Sequence, residues 1–120
     1  MGNKICTSLE QSKKLLELGI DINTADMHYL KHSLENFYNP IPFIGKLHDQ
    51  LPCWSLAALF SVLPEYIKFD GHTWKFYNDH CGIYYMNADT YDTDTFSANS
   101  ENLVDACYEL IIKLKERDLI

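Results

Sequence analysis

At 120 residues the chain has the length of one domain, enough to bury roughly two-thirds of its unfolded-chain surface in a single core. With 47% hydrophobic and 22% charged residues it is too apolar for intrinsic disorder, and no apolar run approaches the roughly 20 residues of a membrane helix. Ten Lys and Arg against 17 Asp and Glu leave a formal charge of −7, which disfavours a direct contact with nucleic-acid phosphate.

The first predicted element is a helix over Ser8 to Leu18. Thr7 and Glu10 have capping-box spacing, Leu9, Leu15, Leu16 and Leu18 supply an apolar stripe, and Gly19 suits the left-handed residue that closes a helix. Residues 20 to 52 are less regular. Asn23 or Thr24 is placed to cap a short turn, and Tyr29 to Phe37 reads as a further helical piece. Pro40, Pro42 and Gly45 then punctuate the chain, so Tyr38 to Leu51 is predicted as a long ordered loop anchored by Ile41, Phe43, Ile44 and Leu47. Trp54 to Leu63 is apolar all round and rich in Leu and Ala, which predicts a central core helix stopped by Pro64.

The clearest strand signal follows. Tyr66 to Phe69 and His72 to Tyr77 flank Asp70-Gly71, a pair suited to a two-residue type I′ turn. That register sets Phe69 opposite His72, Lys68 opposite Thr73, Ile67 opposite Trp74 and Tyr66 opposite Lys75. Ile67, Phe69, Trp74 and Phe76 then share one face, with Lys68, Thr73 and Lys75 on the other. Gly82 to Asn87 alternates as a third antiparallel strand, with Ile83 and Tyr85 on one face and Tyr84 and Met86 on the other. Ala88 to Asn99 is a polar loop. Ser100 is the expected N-cap of a last helix running to about Arg117, with Leu103, Cys107, Leu110 and Leu114 on its stripe, broadened by Val104 and Ile111. The expected fold is α+β in one domain over residues 1–120: a three-stranded antiparallel sheet packed by the central and C-terminal helices, with the N-terminal helix and the long loop completing the cover.

Candidate chemistry is sparse. Cys6, Cys53, Cys81 and Cys107 lie 47, 28 and 26 residues apart, without CxxC spacing, and read as reduced buried thiols rather than a disulfide framework. The N-terminal residues lack the apolar stretch of a secretory signal, which points to the cytoplasm. His28 and His32 would meet on one helical face, a spacing that can clamp a metal, although a weak partly exposed helix explains them as well. His80-Cys81 falls in a turn with no third group to orient it. Asp89, Asp92 and Asp94 could serve a small divalent-metal-dependent hydrolase, but they lack the pattern of an EF-hand. No phosphate loop, GxSxG or HExxH is present, so neither a cofactor nor a catalytic residue is assigned.

The strongest lead is an acidic, tyrosine-bearing exterior. Phe76 to Ile112 contains seven acids and no Lys or Arg, and so carries the whole net charge. Tyr108 and Ile112 lie four apart on the last helix, away from its stripe, with Asp105 and Glu109 beside them, while Tyr66, Tyr77 and Tyr84 fall on the sheet face opposite Trp74. Tyrosine is enriched at protein interfaces. These residues predict a non-enzymatic protein-binding module, with another protein or a second copy as partner, and with neither nucleic acid nor membrane.

Leu51-Pro52-Cys53-Trp54-Ser55-Leu56-Ala57-Ala58-Leu59 followed by Leu63-Pro64, and the stretch from Asn102 to Glu109, resemble a signature of small uncharacterised proteins from phages and mobile elements of gut bacteria. Leu16 to Ile20 and Thr24 to Met27 are similar to the same group. The layout also resembles phage ABA sandwich domains. The resemblance implies a phage or prophage accessory protein and brings no catalytic residues.

Overall fold

The computed structural model describes residues 4–32, 37–44, 51–80 and 82–120. It is α+β, with three α-helices and two antiparallel sheets among the described residues. Helix α1 (Leu9–Glu17) is followed by a 3-10 turn (Ile22–Thr24), then by strands β1 (Met27–His32), β2 (Phe37–Ile44) and β3 (Leu51–Cys53). Helix α2 (Leu56–Val62) leads into β4 (Tyr66–Phe69), β5 (His72–Asp79), β6 (Gly82–Asn87) and β7 (Phe96–Ala98), and helix α3 (Leu103–Glu116) ends the order.

Strands β4 to β7 form a meander in sequence order. The β4–β5 pairing has the register expected from the turn, from Tyr66 opposite Lys75 to Phe69 opposite His72. Asp70 (φ 55°) and Gly71 (φ 77°) both take the positive φ that a type I′ turn demands. The sheet has four strands, however, not three. Phe96 and Ala98 at the end of the expected polar loop are buried and alternate with Ser97 against β6, a run too short to declare itself as a strand.

The inner face of the meander holds the main core. Trp74 and Phe96 meet edge to face at 5.0 Å, Ile67, Ile83 and Tyr85 pack around them, and α2 and α3 close the layer. Phe60 on α2 reaches Phe76 at 6.0 Å. Helix α3 buries Val104, Ala106, Cys107, Leu110, Ile111 and Leu114, the expected stripe except that Leu103 is exposed and Ala106 joins it. Its N-cap is Asn102, whose side chain accepts the Asp105 N–H, whereas Ser100 instead donates to Glu109.

The middle third departs most from expectation. The expected helical piece from Tyr29 begins in strand β1, and the expected loop from Tyr38 begins in strand β2, while residues 33–36 and 45–50 lie outside the described residues. Pro40 and Pro42 are compatible with β2 because it lies at the edge of a sheet ordered β2-β1-β3, where a missing N–H leaves no ladder bond unmade on the open side. The same pre-proline bias that suggested a loop suits an extended strand. Ile44, expected as a loop anchor, is 87% exposed, and the anchor Leu47 lies outside the described residues, as does Gly45.

Local caps also shift. In α1 the box joins Ser8 and Gln11, each side chain bonding the other's backbone N–H, instead of Thr7 and Glu10. Thr7 is fully buried, and its hydroxyl bonds Ser12 Oγ at 2.8 Å while accepting the Trp54 N–H at 3.1 Å. Asp21, not Asn23 or Thr24, caps the 3-10 turn. Trp54 precedes α2 instead of opening it: Ser55 is the N-cap, and the buried indole donates to Thr24 Oγ1. A second, smaller core of Cys6, Met27, Tyr29, Leu51 and Cys53 lies under the three-stranded sheet, and Leu16 packs against both cores.

Candidate functional site

Strand alternation sorts the meander into two faces. With Ile67, Trp74, Phe76, Ile83, Tyr85 and Phe96 turned inward, pairing places Tyr66, Lys68, Thr73, Lys75, Tyr77, Tyr84, Met86 and Ser97 outward. The helices that pack on this sheet lie on the inner side, and Tyr77, Tyr84 and Met86 remain half-exposed and Tyr66 exposed.

This outer face is internally ordered. Tyr77 and Tyr84 are directly paired across β5 and β6 and stack with ring centroids 5.6 Å apart and an interplanar angle of 18°. Lys75 Nζ lies 5.5 Å from the Tyr77 ring centroid and 6.0 Å from that of Tyr66, close enough for cation–π attraction. Tyr84 donates to Asp79 Oδ2 at 2.7 Å, which fixes its phenol. The result is a row of Tyr66, Lys75, Tyr77 and Tyr84, with Lys68 and Met86 on the same face. Side chains restrained in this way have less rotamer freedom to lose on binding than free ones.

The structure divides the six expected contact residues. Tyr66 and Tyr84 belong to the outer face. Tyr108 and Ile112 belong to the helical layer and are partly buried against the main core. Burial pushes the Tyr108 phenol above its ordinary pKa, and the negative charges of Glu10 and Glu17 of α1 add to the shift. Asp105 accepts from Lys4 at 2.6 Å, from Gln11 at 2.8 Å and from Asn102 at 2.8 Å. Partial burial works against the charge, but these donors outweigh it and hold the carboxyl below the usual range. Glu109 accepts from Ser100. The expected union of phenols and carboxylates is therefore two places, and the outer phenols keep company with two lysines.

Asp89, Asp92 and Asp94 shape the β6–β7 connection. Asp92 accepts from the Thr95 hydroxyl and from the Asp94 and Thr95 N–H groups, bonds that lower its pKa, and Asp89 pairs with His72 Nδ1 at 2.7 Å. His28 is buried on a strand, where positions four apart are about 13 Å distant, so the helical clamp with His32 is not formed. Cys81 lies outside the described residues. Among the described residues no three His, Cys, Asp or Glu side chains converge on a point that could hold a metal ion, and no helix is long and apolar enough to cross a membrane.

The composition of the outer face was legible from strand alternation; the contact of one lysine with two rings was not, because it depends on side-chain conformers. No known protein family, curated protein or solved structure matches this chain.

Proposed function

We propose that the chain is a non-enzymatic protein-binding module whose contact surface is the outer face of the four-stranded sheet. One observation carries this reading: three tyrosines stand in an ordered row on a sheet face against which neither α2 nor α3 packs. Tyrosine and buried aromatic anchors dominate binding energy at protein interfaces. The formal charge of −7 favours a protein over a nucleic acid as the partner. The sequence resemblance supports a cytoplasmic accessory role in a phage or prophage, with a host or phage protein, or a second copy of the chain, as the bound species.

The test compares two double variants by cross-linking capture and by light scattering. Tyr77→Ser with Tyr84→Ser should retain the fold and lose the bound species, with a cost of about 2 kcal/mol or more in affinity. Tyr108→Ala with Ile112→Ala should leave binding in place and lower stability instead. If the first pair keeps the same bound species and the same oligomeric state as the unaltered chain, the outer face is not the contact surface.

A further inference from the structure

We propose that the chain forms a two-fold dimer in which β4 pairs antiparallel with β4 of a second copy, joining the two meanders into one sheet. Both sheets are open, so β2, β3, β4 and β7 are edges. An unprotected edge is a template for strand addition. Strand β2 is guarded by Pro40 and Pro42. Strand β3 is three residues long with Pro52 at its centre, and the chain ahead of α1 runs past its end through the Cys6–Ser55 bridge. Strand β7 is equally short, and Lys113 of α3 donates to its Ser97 carbonyl. Among the described residues β4 has no such cover: Tyr66-Ile67-Lys68-Phe69 lacks proline, and Tyr66 is 52% exposed.

Alternation fixes what this edge offers. Glu65 accepts the Phe76 N–H at 2.9 Å, so Ile67 and Phe69 also turn their backbone groups to β5. Tyr66 and Lys68 turn theirs away, and neither backbone bonds another described residue on that side. A two-fold axis beside Ile67 sets Tyr66 of each copy opposite Lys68 of the other. Every outward N–H and C=O group of the two strands is then paired.

The side chains fit the same register, which is why the occupant is a second copy and not an unrelated strand. A lysine on an edge ordinarily deters pairing, but here Lys68 meets the Tyr66 ring of the other copy instead of another charge. Lys75 already stands 6.0 Å from that ring on its own side. On the inner face exposed Glu65 falls opposite Phe69 of the second copy, and the Arg117 guanidinium carbon lies 5.9 Å from the Phe69 ring centroid. Glu65 is thereby brought towards Arg117 of the other copy, and neither has an ion-pair partner among the described residues of its own chain. The two-fold axis repeats both contacts. This edge is distinct from the Tyr77–Tyr84 surface, and either can bind without the other.

The test is sedimentation of the full chain from about 10 µM to 1 mM, the range of a small interface. The 13.9 kDa species should give way to one of twice that mass and nothing larger, because two-fold pairing closes. Over the same range the Tyr66 and Lys68 amides should become protected from hydrogen exchange. Lys68→Pro deletes an outward N–H that β5 does not use and should weaken the dimer by about 30-fold or more. Lys68→Arg keeps the N–H and the charge and should leave the dimer unchanged. If Lys68→Pro does not fold, exposed charges decide: Glu65→Arg or Arg117→Glu alone should weaken the dimer by about tenfold, and the two together should restore it. Tyr77→Ser with Tyr84→Ser should leave it intact. A monomer at the highest concentration, a larger assembly, a dimer indifferent to Lys68→Pro, or single charge reversals without rescue would each overturn the proposal. So would a dimer lost only with Tyr77 and Tyr84, which would put the second copy on the outer face.

Discussion

The two cores differ in what they bury. The main core is built from large rings and aliphatic side chains, with Trp54, Trp74, Tyr85 and Phe96 between the meander and helices α2 and α3. The smaller core has two thiols, one methionine, one leucine and one phenol, surrounded by buried polar groups that satisfy one another: Thr7, Ser12 and the Tyr29 hydroxyl. Apolar area scales with stabilisation, so the main core carries most of the stability. The smaller core depends on correct hydrogen bonding.

Substitutions can break that contrast. The largest effect belongs to Trp74→Ala, which removes a buried indole from between Phe69 and Phe96 and should cost about 3–5 kcal/mol. Thermal melting checks it, and an unchanged melting temperature would refute the assignment of the inner face. Thr7→Val keeps the shape but leaves the buried Trp54 N–H without its acceptor, for about 1–3 kcal/mol. Amide hydrogen exchange should then show the N-terminal segment and β3 opening while β5 and β6 stay protected; uniform loss of protection would mean that the two cores unfold as one.

Ser8→Ala removes the side-chain cap of α1 and should cost about 1 kcal/mol, read as earlier fraying of that helix. The smallest effect is at the Lys4–Asp105 pair, which is partly exposed and contributes within about 1 kcal/mol. Its pH dependence is more informative than its size. The Asp105 carboxyl is depressed in the folded state, so its stabilisation is complete above the ordinary carboxylate pKa of about 4 and is lost as pH falls through the folded value. Lys4→Met should flatten that acid limb of the stability curve, and an unchanged acid limb would show that Asp105 draws its depression from Gln11 and Asn102 alone.

Short-range information read the meander well. Asp70-Gly71 set the turn, the turn set the register, and alternation then assigned both faces of β4, β5 and β6. The same rules failed at β1 and β2. There, prolines imitate a loop unless an edge position is known in advance, and edge status is a property of the assembled sheet. Strand β7 escaped because three residues give too little alternation to recognise.

What the amino-acid order determined by itself was whatever depends on neighbours within one turn or one hairpin: the α1 and α3 helices, the type I′ turn, and the outward set of Tyr66, Lys75, Tyr77 and Tyr84. Tertiary structure alone decided that Asp105 pairs with Lys4 and that Tyr108 packs against the main core. Each of those pairings spans far more sequence than any local rule can read. They form only because burying the two cores brings distant segments into contact, and the chain carries no local mark of where those segments will meet.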